Sequence, residues 1–307
     1  MRGLLPAVVV AAALVNPAHA GIVSTGSVSS DYTGASQISD WGTVGATTSV
    51  FIGSQAGPGT VTVDGGSTVT TNYTSIGYYN IASGSKLTVT GAGSSWSADN
   101  WITIGEGYNN DGALEVLNGA SVSSSSSFAI GYNSPGSLLI DGGSVSIGGI
   151  PFLNRYSQSD GSTLTIRGGG TLTSNSALDT SYNNATVTIE DGLIDVSSVN
   201  SGDATSVVDI NIGVDGVLSL SHGSGDATMA NFLTRFFGQG TTNINLWTGT
   251  SYVPYTSLTE GVDYQVVADG SKWLLSVTPQ ADTPVPGTLA LMLGGLTLVG
   301  ARRRRRG

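Results

Sequence analysis

The chain has 307 residues, of which only 10% are charged, with 45 glycines and no cysteine. The charge content lies far below the roughly 25% of ordinary globular domains. The missing thiols exclude a disulfide framework, thiol catalysis and cysteine-ligated metal. Between the two ends, Lys86, Arg155, Arg167, Arg235 and Lys272 face 20 carboxylates, a net charge of about −15 that disfavours nucleic acid and anionic membrane surfaces as partners.

Residues 1–20 read as a signal peptide, with Arg2 at the positive start, an apolar run over 4–15 and Ala18-His19-Ala20 as the small-x-small cleavage site. Residues 21–48 are rich in Ser, Thr and Gly, with Ile38, Trp41 and Val44 as apolar points. They read as a degenerate first coil or an N-terminal cap, because the end unit of a stack has one face to close.

A repeat then fills residues 49–221. An Ile-Gly pair recurs at Ile52-Gly53, Ile76-Gly77, Ile104-Gly105 and Ile130-Gly131. Apolar residues two apart recur as Val61/Val63, Leu87/Val89, Leu114/Val116, Leu138/Ile140, Leu164/Ile166 and Val187/Ile189, in steps of 26, 27, 24, 26 and 23 residues. A further anchor follows each pair at Val69, Trp96, Val122, Val145, Leu172 and Ile194. Alternation with period two makes the units strands. Three strands of about five residues plus three turns consume roughly 25 residues. The spacing predicts an all-β, three-faced parallel β-solenoid with these columns inside and glycines at the corners.

Beyond the repeat the pattern changes. Met229, Phe232, Leu233, Phe236 and Phe237 share one face of a helix expected over 226–238, a plug for the last coil. Residues 241–280 return to alternation, and Asp269-Gly270 signals a hairpin. The stretch 222–280 thus reads as a C-terminal cap of one helix and a small sheet, with Trp247 and Trp273 in its core. Residues 281–307 form a separate tail. Pro284-Val285-Pro286-Gly287 precedes an uncharged run to Ala301, and then come Arg302, Arg303, Arg304, Arg305 and Arg306. The run is a short membrane helix at the lower limit of a span, with the arginines held on the cytoplasmic side.

This Pro-x-Pro motif, Gly/Leu-rich span and terminal arginine cluster resemble the PEP-CTERM sorting signal of Gram-negative bacteria, with Val285 where that signal carries Glu. The resemblance implies an exosortase-type processing enzyme as partner, transient retention at the inner membrane, and release to a surface or matrix rich in exopolysaccharide. The repeats separately resemble the β-helical passengers of autotransporters, without the C-terminal barrel.

Catalytic candidates are sparse. His222 is the one histidine beyond the signal peptide and lies in a Ser/Gly joint. Neither a metal nor a cofactor is expected, since histidine partners are missing and Asp64-Gly65-Gly66 and Asp141-Gly142-Gly143 lack the full calcium-binding nonapeptide. Asp141, Arg167 and Glu190 would be neighbours along one corner, either as alternating charges or as an acid-base patch of the kind a β-helix polysaccharide lyase uses. Tyr78 or Tyr79, then Tyr108, Tyr132, Tyr156 and Tyr182, open successive turns and form a candidate glycan-contact ladder. The expected function is that of an exported, non-enzymatic surface or matrix protein, adhesive or associated with exopolysaccharide. The alternative is a β-helix lyase or glycoside hydrolase.

Overall fold

The computed structural model describes residues 21–156, 158–180, 182–200, 207–221 and 241–278. Between Ser49 and Ser221 the chain makes about six turns of a β-solenoid, each turn visiting three sheets in the same sequence. Sheet C receives the first strand of each coil, beginning with Ser49–Ile52, Tyr73–Ile76, Ile102–Ile104, Phe128–Ile130 and Pro151–Leu153. Sheet A receives the second, beginning with Gly59–Val63, Ser85–Thr90, Gly112–Leu117, Gly136–Asp141 and Ser162–Arg167. Sheet B receives the third, beginning with Thr68–Thr71, Ser95–Ala98, Ser121–Ser124, Ser144–Ile147 and Gly170–Ser174. Within the coils all neighbours run parallel.

The register is the one the apolar spacing demands. Val61, Leu87, Leu114, Leu138, Leu164 and Val187 pair in turn, and the column continues into Ile210 and Ile244. Each of these side chains is buried. On sheet B, Val69, Trp96, Val122, Val145, Leu172 and Ile194 form a second interior column that runs through Leu218 to Leu275 of the C-terminal hairpin. A buried indole N–H usually finds an acceptor. Trp96 donates to Thr74 Oγ1 at 2.9 Å, and Thr74 in turn shares a 2.9 Å hydrogen bond with Thr71.

Outward positions on sheet B carry hydroxyls. Thr68/Thr70, Ser95/Ser97, Ser121/Ser123, Ser144/Ser146 and Thr171/Thr173 lie in two parallel rows, a consequence of register and two-residue alternation acting together. The low charge content of the sequence is thus explained, since the solvated faces are made of Ser and Thr.

The inward Ile of each Ile-Gly pair is followed by a left-handed residue that turns the chain from sheet C to sheet A. Gly131 has φ +76°, and a Cβ there would lie 2.0 Å from Ser162 Oγ. One coil later Asn154 stands in the equivalent place at φ 62°, which Asn tolerates better than other residues with a Cβ.

Both ends are closed by strands of reversed direction. Ile22–Gly26 pairs antiparallel with Gly59–Val63, and Val28–Ser29 with Ser49–Ile52. A 3₁₀ turn at Trp41–Thr43 lays Trp41 edge-on over Trp96, ring centroids 5.9 Å apart, so the first coil is plugged by an indole. At the other end, Tyr252–Pro254 reverses on Thr241–Trp247, and the hairpin of Tyr264–Asp269 and Lys272–Val277 adds to sheet B. Lys272 anchors that hairpin through an ion pair with Asp195.

Two expectations need adjustment. The core of the C-terminal cap is Ile244, Leu246, Tyr264, Leu275 and Val277. Trp273 is only half-buried against it, and Trp247 packs against Tyr252 at the rim, 5.1 Å between centroids, because its strand ends where the sheet does. The plug helix expected over 226–238, His222, the signal peptide and the tail lie outside the described residues. Among the described residues no helix is long and apolar enough to cross a membrane.

Candidate functional site

Sheet C differs from the other two in having both faces buried. Its central outward row is Phe51, Ser75, Thr103, Ala129 and Phe152, paired in register. Ser75, Thr103, Ala129 and Phe152 are nonetheless inaccessible to solvent or nearly so. Small residues make a low floor, and aromatic rings from the two rims cover it. Tyr73 and Trp101 come from the rim before the strands. Tyr78, Tyr132, Arg155 and Tyr156 come from the rim after them.

The rings form two clusters on this face, one over the first coils and one further along. Phe51 meets Tyr78 edge-on at 5.0 Å, and Tyr32 of the N-terminal cap lies 6.0 Å from Tyr78. Further along, Trp101 stacks on Phe152 with planes 14° apart and centroids 5.8 Å apart. Trp101 also meets Tyr132 at 6.3 Å, and Tyr132 meets Tyr156 edge-on at 5.0 Å. The Arg155 guanidinium carbon sits 3.9 Å above the Phe152 ring and 5.2 Å from that of Trp101.

Glu106 lies in the same row as Tyr132 and Arg155. Its carboxylate accepts from Thr103 Oγ1 at 2.7 Å and from the Tyr73 hydroxyl. Burial pushes the Tyr73 phenol well above its ordinary value, and the Glu106 charge adds to the shift. Burial likewise raises Tyr132 to about 12, helped by its hydrogen bond with Tyr156. Tyr156 is lowered by that same hydrogen bond and by Arg155. Beside Glu106, Tyr78, Tyr79, Tyr108 and Asn133 line an open hollow of ≈ 320 Å³.

The structure therefore brings Tyr132 and Tyr156 into contact and places Tyr79 and Tyr108 around the hollow. Tyr182 is exposed and makes no ring contact among the described residues. Asp141 and Arg167 pair in register and form a 2.9 Å ion pair at an exposed corner, worth about 1 kcal/mol or less. Glu190 takes the next coil without joining it in an ion pair among the described residues. Pro284, Val285, Pro286, Gly287, the five terminal arginines, Ala18 and Ala20 lie outside the described residues. Among the described residues no group of three His, Asp or Glu could hold a metal ion.

Tyr73, Trp101, Glu106, Phe152 and Arg155 were not singled out as site residues by tyrosine spacing alone. A signal for most of them exists in the repeat. Two places after the inward Ile or Leu stand Tyr78, Glu106, Tyr132 and Arg155, and one place before it stand Phe51, Ser75, Thr103, Ala129 and Phe152. Counting from the corner glycine rather than from tyrosine to tyrosine groups them. Comparisons with protein-family models, curated proteins and solved structures find no match to this chain.

Proposed function

We propose that this chain is an exported, non-enzymatic β-solenoid of the cell surface or extracellular matrix, associated with exopolysaccharide or with other surface proteins. The observation that carries the reading is the aromatic shelf of sheet C. Rings held in series by a rigid stack offer flat apolar faces to the C–H faces of sugar units, and the hydroxyl rows of sheet B provide a wettable side. The lyase alternative has less support, because the Arg167 guanidinium is engaged by Asp141 on an open corner rather than aimed into a cleft.

The tail completes the proposal. The order of Pro284-Val285-Pro286, a short span and five arginines resembles a PEP-CTERM signal, so an exosortase-type enzyme would process the chain after transient retention at the inner membrane. Two measurements test these parts. Purified protein is incubated with a panel of bacterial exopolysaccharides, scoring binding and cleavage together; binding without cleavage is expected, and turnover lost in Arg167→Ala would overturn the non-enzymatic reading. Mass spectrometry of the protein from its native cell should find a C-terminus before Arg302. A chain ending at Gly307 would refute processing.

A further inference from the structure

The described basic side chains of the body sort into two kinds. Lys86 pairs with Glu115 at 3.3 Å, Arg167 with Asp141 at 2.9 Å, and Lys272 with Asp195. Arg155 has no carboxylate partner among the described residues. Its guanidinium is spread over Phe152 and lies near Trp101 and Tyr156, and its Nε is buried without a hydrogen-bond acceptor. A buried N–H left unmatched is unfavourable in an isolated protein. Arg155 also hydrogen-bonds the Tyr156 hydroxyl, so what sets it apart from the other three is that no carboxylate among the described residues neutralises its charge.

We propose that Arg155 is the anion-recognition point of a binding site for acidic glycans, carrying a carboxylated sugar of the uronic-acid type across the Trp101, Tyr132 and Tyr156 shelf. This inference rests on the glycan reading above and specifies the ligand's class. The guanidinium is planar and rests over the Phe152 ring; with Nε buried, its Nη groups are the donors left for a carboxylate. The aromatic planes beside it are suited to the apolar face of the same sugar or its neighbour. Successive coils are about 4.8 Å apart, close to the length of one pyranose unit, so a glycan running along the solenoid meets one shelf residue per sugar. Glu106 occupies the same row two coils from Arg155, roughly 10 Å away. The acidic group of the ligand is thereby directed to the Arg155 end. The strongly negative body repels a polyanion at long range, but that repulsion is screened beyond about 8 Å at physiological ionic strength, and the local guanidinium decides.

The test uses the purified full chain at physiological salt with three probes: polygalacturonate, the same polymer with its carboxyl groups reduced to alcohols, and dextran. Calorimetry or affinity electrophoresis should show tightest binding to polygalacturonate. Arg155→Gln should weaken that binding at least about tenfold, the scale of a hydrogen bond to a charged group, and should weaken binding of the reduced polymer by a clearly smaller factor. Arg155→Lys, which keeps the charge but not the fork, should fall between. Thermal melting of each variant checks folding, and the comparison of the two polymers on the unaltered chain does not depend on any variant. Equal binding of the acid and reduced polymers would overturn the inference and leave the glycan reading standing. Binding of no polymer here, nor of any exopolysaccharide in the panel, would overturn both. Arg155→Gln indistinguishable from the unaltered chain would assign Arg155 to covering Phe152 alone.

Discussion

Leu138 and Leu139 are adjacent residues of one type that the register sends to opposite faces, and this pair offers the most direct test of the fold. Leu138 is 1% exposed and lies between Leu114 and Leu164 in the interior column. Leu139 is half-buried on the outer face of sheet A, between Glu115 and Thr165. Truncating a buried leucine to alanine costs about 2–5 kcal/mol, more when the surroundings cannot collapse into the space. Here collapse is opposed, because the strand is hydrogen-bonded on both sides by neighbouring coils. Leu138→Ala is therefore expected in the upper part of that range, about 3–5 kcal/mol, and Leu139→Ala below about 1 kcal/mol. Urea denaturation followed by circular dichroism and tryptophan fluorescence would measure both, with the midpoint shift interpreted only if the slope is unchanged. If Leu139→Ala costs as much as Leu138→Ala or more, the register is off by one residue and the assignment of inner and outer faces fails.

Gly131→Ala should lower stability by about 2–4 kcal/mol. It combines a left-handed backbone with a 2.0 Å approach to a Ser162 hydroxyl already engaged by Gly136 N–H and Ser159 C=O; a melting temperature unchanged by the substitution would refute the corner geometry. The N-terminal cap should loosen in acid. The Asp31 carboxylate accepts from Thr33, Ala35 and Ser36, which holds its pKa well below the ordinary value. A depressed pKa means the contribution is present above the unfolded value near 4 and is lost as pH falls through the folded one. Hydrogen-exchange protection at Thr33 and Ser36, measured relative to the intrinsic amide rate at each pH, should fall in strong acid, and Asp31→Asn should show the same reduced protection at neutral pH; protection that does not change with pH would exclude this role.

The interior of the solenoid was legible because one physical rule governs it. Alternation fixes inside against outside, a step in the twenties fixes coil against coil, and Val61 to Val187 obey both. The aromatic shelf was legible only in fragments. Tyr132 and Tyr156 stand out as tyrosines, whereas Trp101, Phe152 and Arg155 belong to the same surface through corner geometry and not through residue type. Spacing between tyrosines also misleads because turn lengths vary from coil to coil, which sets Tyr108 beside the hollow and leaves Tyr182 apart. Trp247 looked like a core residue by its chemistry. Its place at the rim, where its strand ends beside the short strand Tyr252–Pro254, is a property of how the cap strands are laid down, which no local pattern encodes.

Sheets A and C begin, and sheets A and B end, with strands that run against the coils. Every internal coil presents the same parallel edge to its neighbours, so a whole coil can be inserted or removed by duplication or deletion of one repeat without redesigning any interface. The terminal strands cannot be copied in that way, since a reversed ladder does not accept a parallel coil in the same register. Evolutionary lengthening of this protein is thus expected from the middle outwards. Homologues of different reach should differ by multiples of one repeat while sharing the two end pieces, a molecular measuring rod whose graduations change in number but whose ferrules do not.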